Sequence, residues 1–266
     1  MTADPPIVVN TRDDGLDGAL ARAIERAGMK SVACPMVTIA PPLDPEPFED
    51  AVERLGEFDW LAFTSTHAIA AVTQHAKWQT AIALGALPRV AVVGDASARH
   101  LESHGVAAHV VPDGVGAAAL AAAIVQRAGG VGGVRLLWPR GDRAPSAFRE
   151  DLEKAGILVT APIAYRTLPP ADASVAALRA TLESNRAAAI AFCSPSSAQN
   201  LARGLGVVDL AAVKGRVQVV ASIGPTTSAA LSALGLEPDV QAESPSMASL
   251  ANAIAARLGV TAGGAV

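Results

Sequence analysis

Aromatic residues are nearly missing from this chain, at 3% of its 266 positions, and cysteines number only two. Apolar residues still make up 51%, much of it alanine, so the core must rest on close helix–sheet packing instead of bulky ring clusters. Cys34 and Cys193 lie far apart in apolar surroundings. That spacing suits neither a disulfide framework nor a zinc site, and it predicts buried, reduced thiols. A surplus of basic charge is missing too. The net charge of −4 argues against general nucleic-acid affinity, which needs a basic face. It leaves an anionic ligand open, because helix N-termini and a few arginines bind anions locally. The opening MTADPPIVVN has no basic n-region and no long apolar h-region, so no signal peptide is expected. The longest apolar run, 114–125, is too short for a bilayer and is rich in glycine and alanine. A cytoplasmic chain without a membrane partner is the expectation.

What the sequence does contain is alternation. IVV (7–9), WLAFTS (60–65) and RVAVVG (89–94) are each followed by an Ala/Leu-rich helical stretch. Short continuous apolar runs of this kind read as parallel strands buried on both faces, which points to a doubly wound α/β architecture.

The chain also repeats itself. Gly94, Leu101, Gly105, Leu120 and Ile124 recur as Gly224, Leu231, Gly235, Leu250 and Ile254, offset by 130. Phe63 and Ser65 recur as Phe192 and Ser194, offset by 129. Arg12, Glu25, Ala27 and Gly28 recur as Arg140, Glu153, Ala155 and Gly156, offset by 128. Three blocks in one order at nearly one offset predict two copies of a single βα-rich unit. Two proline-bearing segments, 35–47 and 161–171, fall at equivalent places in the copies and read as interdomain connectors. Two connectors make one domain discontinuous.

Four strands end in small polar residues just before a helix: Thr64-Ser65-Thr66, Gly94-Asp95-Ala96-Ser97, Ser194-Pro195-Ser196-Ser197 and Gly224-Pro225-Thr226-Thr227. One such turn is ordinary helix capping. Four on equivalent edges suggest a site that grips carboxylates through backbone N–H groups. Arg12 and Arg140 follow strands in VVNTR and LLWPR, where a guanidinium suits carboxylates, although either can simply cover a loop.

Other motifs fail. The glycines at 114 and 116 loosely fit a dinucleotide turn, but no acidic residue stands about 20 residues on, and the copy at 244–249 has no glycine. The glycine tract 129–133 precedes a strand and reads as a connection. His100 and His104 share a helix face without a third ligand, and HLESH misplaces the glutamate for a zincin. There is no nucleophile elbow, no phosphate-loop lysine and no Cys–His pair. Neither cofactor nor metal is expected. An enzyme so equipped must work by positioning.

The ordered set of Thr11-Arg12, Phe63-Thr64-Ser65, Val92-Val93-Gly94 with Ser97, Pro139-Arg140-Gly141, Tyr165-Arg166-Thr167, Phe192-Cys193-Ser194-Pro195-Ser196 and Ile223-Gly224-Pro225-Thr226-Thr227 resembles the uroporphyrinogen-III synthase family. The likeness runs to about Leu258. His67 departs from it where Asn is usual, and Ser97 where Thr is common. The resemblance implies two similar parallel-sheet α/β domains joined by a two-stranded β-ladder hinge. The first domain would span 1–38 and 168–266, the second 41–164. It implies a lyase that closes hydroxymethylbilane into uroporphyrinogen III, inverting ring D and losing water, between hinged domains. A monomer is expected, and a transient contact with the preceding enzyme of the pathway is left open. It makes Tyr165 and Thr227 the candidate catalytic residues. Arg12, Thr64, Ser65, Gly94, Ser97, Arg140, Ser194, Ser196, Gly224 and Thr226 become candidate substrate contacts. The alternative is a non-catalytic two-domain protein that binds or senses a small anion.

Overall fold

The computed structural model describes residues 4–13, 18–129, 133–184, 186–207 and 210–260. The chain divides into two compact units, Met1–Thr38 with Leu168–Val266, and Ile39–Thr167.

The first unit opens with β1 (Ile7–Asn10), α1 (Ala19–Arg26) and β2 (Lys30–Ala33). The chain then runs through β3 (Thr38–Ala40), α2 (Glu46–Glu53), β4 (Trp60–Phe63), α3 (Thr66–Thr73), α4 (Ala76–Ala83), β5 (Arg89–Val92) and α5 (Asp95–Glu102). The second unit continues with α6 (Ala117–Ala128), β6 (Arg135–Leu137), β7 (Arg140–Gly141), α7 (Ala147–Lys154), β8 (Leu158–Thr160) and β9 (Ile163–Leu168). The chain returns to the first unit with α8 (Asp172–Glu183), β10 (Ala187–Phe192), α9 (Pro195–Leu205), α10 (Ala211–Lys214), β11 (Val219–Ser222), α11 (Pro225–Ser232), β12 (Val240–Gln241) and α12 (Met247–Leu258).

In the first unit the strands lie in the order β12-β11-β10-β1-β2, all parallel. Successive side chains alternate between two apolar layers. Val9, Ile190, Phe192 and Val220 enter one, while Val8, Ala189, Ala191, Val219 and Ala221 enter the other. Both faces are covered by helices, which is why these runs are continuously apolar in the sequence. The second unit repeats the physics with the parallel order β5-β4-β6-β8. Leu61, Phe63, Val90 and Val92 face one layer and Trp60, Ala62 and Ala91 the other. Helix ends follow simple rules: Ser194 caps α9 with Pro195 in its first turn, and Gly206 ends it at φ 70°.

The connector segments carry more strand than their prolines suggest. The expected two-stranded ladder is a three-stranded sheet, β3-β9-β7, because Arg140–Gly141 pairs parallel with β9. Pro139 ends the previous run, so Arg140 starts a new strand instead of trailing β6. The loosely dinucleotide-like turn leads into α6, with Gly116 at φ 90° as its N-cap. Residues 130–132 of the glycine tract lie outside the described residues.

Two expectations follow from the cores. Cys34 is fully buried, and burial pushes its thiol from 9.0 up to about 11. The unfolded chain then loses this proton first, so stability should fall as pH rises from about 9 towards about 11. Denaturant titrations of the chain and of Cys34→Ala across that window check this, the variant showing the shallower loss. Trp78 is the largest fully buried side chain among the described residues, and Trp78→Ala should cost about 3–5 kcal/mol in the same assay. Its indole N–H has no hydrogen-bond partner among the described residues, so Trp78→Phe should cost clearly less.

Candidate functional site

Within the second unit a cavity of about 490 Å³ lies just past the ends of β4 and β6. Thr64, Ser65, Trp138, Arg143, Tyr165 and Thr167 line it. The first residues of α6 (Ala117, Ala118) and α7 (Ala147) line it too. The N-caps of these helices, Gly116 and Ser146, make no side-chain capping bond. First-turn N–H groups without such caps carry the positive end of the helix dipole. The volume falls in the ordinary range for a small-molecule pocket.

The polar groups are held by one another. Ser65 leaves β4 extended (φ −153°, ψ 141°) and caps α3, its Oγ accepting from the His67 backbone N–H at 3.1 Å. Tyr165 Oη donates to the same Ser65 Oγ at 3.0 Å. Trp138 Nε1 donates to Thr64 Oγ1 at 3.0 Å. The His67 ring lies 5.4 Å from the Tyr165 ring, tilted by 57°. Behind them, the Thr167 N–H donates to Asp142 Oδ1 at 2.9 Å and the Asp142 N–H to the Tyr165 carbonyl at 3.0 Å. These bonds tie the β7 turn to β9.

The structure therefore brings Thr64, Ser65 and Tyr165 to one cavity. Arg140 does not line it. Its Nε donates to the Ala161 carbonyl (3.3 Å) and an Nη to the Gly141 carbonyl (3.1 Å), which fixes backbone. Gly94 is the extended N-cap of α5, and Ser97, three residues on, is 4% exposed; neither lines the cavity.

The remaining candidates belong to the first unit. Arg12 follows β1 half-buried, its backbone N–H on Asn10 Oδ1 at 2.9 Å. Ser194 Oγ accepts from the Ser197 N–H at 3.2 Å and pairs with Ser196 Oγ at 3.0 Å. Gly224 is the extended N-cap of α11. Thr226 is exposed there, whereas Thr227 is 1% exposed.

Arg143 and Trp138 were not among the candidates read from sequence, and Thr167 stood there only as part of the Tyr165-Arg166-Thr167 motif. Arg143 stands in a short turn after β7 whose only signal was the GDR triplet following a proline. Among the described residues no group of three or more His, Cys, Asp or Glu could hold a metal. His100 and His104 face each other ring to edge at 5.1 Å. Burial, and then the His104 charge, lower the His100 pKa.

The uroporphyrinogen-III synthase HemD family model matches residues 18–252. A uroporphyrinogen-III synthase of Synechococcus elongatus is 30% identical over 230 residues, covering 83% of each chain. One of Chlorobaculum parvum is 28% identical over 253 residues, covering 94% of this chain and 98% of the relative. Among solved structures, a mutant uroporphyrinogen III synthase of Thermus thermophilus superposes with a TM-score of 0.56 at 19% identity, covering 96% and 99% of the two chains. The Helicobacter pylori uroporphyrinogen-III synthetase gives 0.57 at 16% identity, covering 92% and 96%. These two structures bear on the fold, an α/β architecture with parallel sheets. With the family model spanning most of the sequence and a relative at 30% identity behind it, the chain belongs to the uroporphyrinogen-III synthase family.

Proposed function

We propose that this chain closes hydroxymethylbilane to uroporphyrinogen III, inverting ring D and releasing water. The observation that carries the reading, in a chain of this family, is the cavity where hydroxyls, a guanidinium and a phenol converge. The reaction asks for little else. When the terminal C–O bond breaks, its electron pair leaves on oxygen. The pyrrole N–H gives up the proton that completes the water, so no net acid is consumed. Ring D then attacks through its substituted carbon, and the spiro intermediate fragments and recloses. Free pyrroles are already nucleophilic, so the protein's task is orientation.

Within this proposal Arg143, Thr64 and Thr167 take substrate carboxylates, because charge-assisted and hydroxyl hydrogen bonds suit them. The turns at Gly94–Ser97, Ser194–Ser196 and Gly224–Thr227, with Arg12, supply further backbone and side-chain donors. Tyr165 stands at the reacting end and Thr227 supports its turn. Arg140 serves by holding the β7–β9 backbone.

We also infer that the two units are the two domains of a tandem duplication. Supporting this, Ser65 and Ser194 cap equivalent helices in nearly the same conformation, and Gly94 and Gly224 do likewise. The order β5-β4-β6-β8 also parallels β11-β10-β1-β2, with Val110 bridging Ala91 where β12 would stand. A cytoplasmic monomer belongs to the same reading. Among the described residues no helix is long and apolar enough to cross a membrane.

The test is direct. The purified chain, given hydroxymethylbilane, should yield the inverted isomer faster than spontaneous closure yields the other. Only the non-inverted isomer at the spontaneous rate would leave a binding role. Thr227→Ala should lower turnover roughly tenfold, about 1.4 kcal/mol of barrier, with an unchanged circular dichroism spectrum. Arg143→Ala should raise KM about tenfold, as expected for loss of one charge-assisted hydrogen bond, with kcat little changed.

A further inference from the structure

We propose that Ser65, and not the Tyr165 phenol, hydrogen-bonds to the departing hydroxyl, with Tyr165 as the donor behind it and Gly141 as the residue that positions the ring. This rests on the functional reading above and concerns which atom of the cavity meets the leaving group.

The inventory of protons and lone pairs points there. Tyr165 has one O–H, and it is directed at Ser65 Oγ, 3.0 Å away. Ser65 Oγ has two acceptor sites, and both are filled, one by that phenol and one by the His67 backbone N–H at 3.1 Å. Capping α3 requires only the second of these. What Ser65 has left is its own O–H, on a residue that lines the cavity. The phenol is the stronger acid of the two hydroxyls, so it donates and the serine accepts. A hydroxyl that accepts two hydrogen bonds is polarised into a better donor. The phenol oxygen can then accept from a ligand but has no proton to offer it.

Gly141 explains how the ring holds this position. Gly141 and Tyr165 are Cα partners in the β7–β9 pairing. A Cβ at position 141 would lie 2.8 Å from Tyr165 Cζ, 2.9 Å from Oη and 3.0 Å from Cε2. The phenol end of the ring therefore rests on the bare glycine, with the His67 ring as a second neighbour. Gly141 is not among the positive-φ glycines, so its missing side chain matters here and not its backbone freedom. Glycine inside a strand marks such close approaches. Any larger residue moves Oη, the atom bonded to Ser65.

In the chemistry, the methylene carbon–oxygen bond breaks with its electron pair on the leaving oxygen. The Ser65 hydrogen bond takes up part of that charge, and the pyrrole N–H supplies the proton of the water. No group on the protein is consumed.

The chain has one tyrosine, so a ring-labelled tyrosine gives a single Cζ resonance that reports on this contact alone. The wild-type chain, Ser65→Ala, Ser65→Thr, Tyr165→Phe, Gly141→Ala and the Ser65→Ala/Tyr165→Phe pair would be compared for single-turnover water loss and thermal stability. Ser65→Ala should slow water loss on the order of a hundredfold, as for removal of a direct donor. Tyr165→Phe and Gly141→Ala should each slow it about threefold, the loss of one polarising bond. The double variant should be no slower than Ser65→Ala, and Ser65→Thr should recover most of the rate. The Cζ resonance should shift in Ser65→Ala and Gly141→Ala and stay in Ser65→Thr.

A Tyr165→Phe rate as slow as or slower than Ser65→Ala would overturn the order of donors. So would multiplicative losses in the double variant, or a Cζ signal indifferent to Ser65→Ala. A wild-type chain that forms no inverted isomer would instead bring down the functional reading, and the catalytic role of Ser65 with it. The resonance measurement needs no substrate, so the two failures are told apart.

Discussion

Backbone N–H groups left over where helices begin are the constraint on which the rest of this molecule depends. Each buried parallel strand must hand its carboxyl end to a helix, and each helix starts with donors that its own backbone cannot satisfy. Ser65, Ser194 and Ser246 each take one such donor with a side-chain oxygen. At Gly94, Gly116, Ser146 and Gly224 no side chain does so. An architecture chosen for core packing thus yields edges suited to carboxylates, without a dedicated charged motif. The acidic net charge is no obstacle to this, because the attraction is local.

The main strands were legible because burial on both faces erases the polar alternation that would hide them. Trp60–Phe63, Arg89–Val92 and Ala187–Phe192 all stand out as apolar runs. Two-residue strands gave no such signal. Val240–Gln241 has no periodicity to read, and Arg140–Gly141 looks like the tail of the strand before it. Arg140 was read as a candidate carboxylate contact, and in the structure its guanidinium donates to the carbonyls of Ala161 and Gly141. Arg143, three residues later, is the guanidinium that reaches the cavity.

Ser65 and Thr64 were visible as a polar turn after a strand, and Tyr165 through family resemblance. Their mutual contact was not, since it joins the turn after β4 to β9, which belong to two different sheets. Gly141 left a trace as the end of the Pro139-Arg140-Gly141 motif, but nothing local says which ring lies upon it. Here a scarcity becomes informative: in a chain so poor in aromatics, one of its few large rings is kept against a bare glycine and a serine hydroxyl. Positioning by rigid short strands suits a reaction whose substrate supplies its own nucleophile.

The measurement that bears most directly on this account is the map of backbone amide resonances when uroporphyrinogen III is added. The largest shifts should fall on helix starts that no side chain caps, among them Asp95–Ala96, Ala117–Ala118, Ala147–Phe148 and Thr226, while core strand amides stay put. Shifts confined to exposed helix faces, with those helix starts silent, would contradict the claim that unspent amide hydrogens hold the ligand.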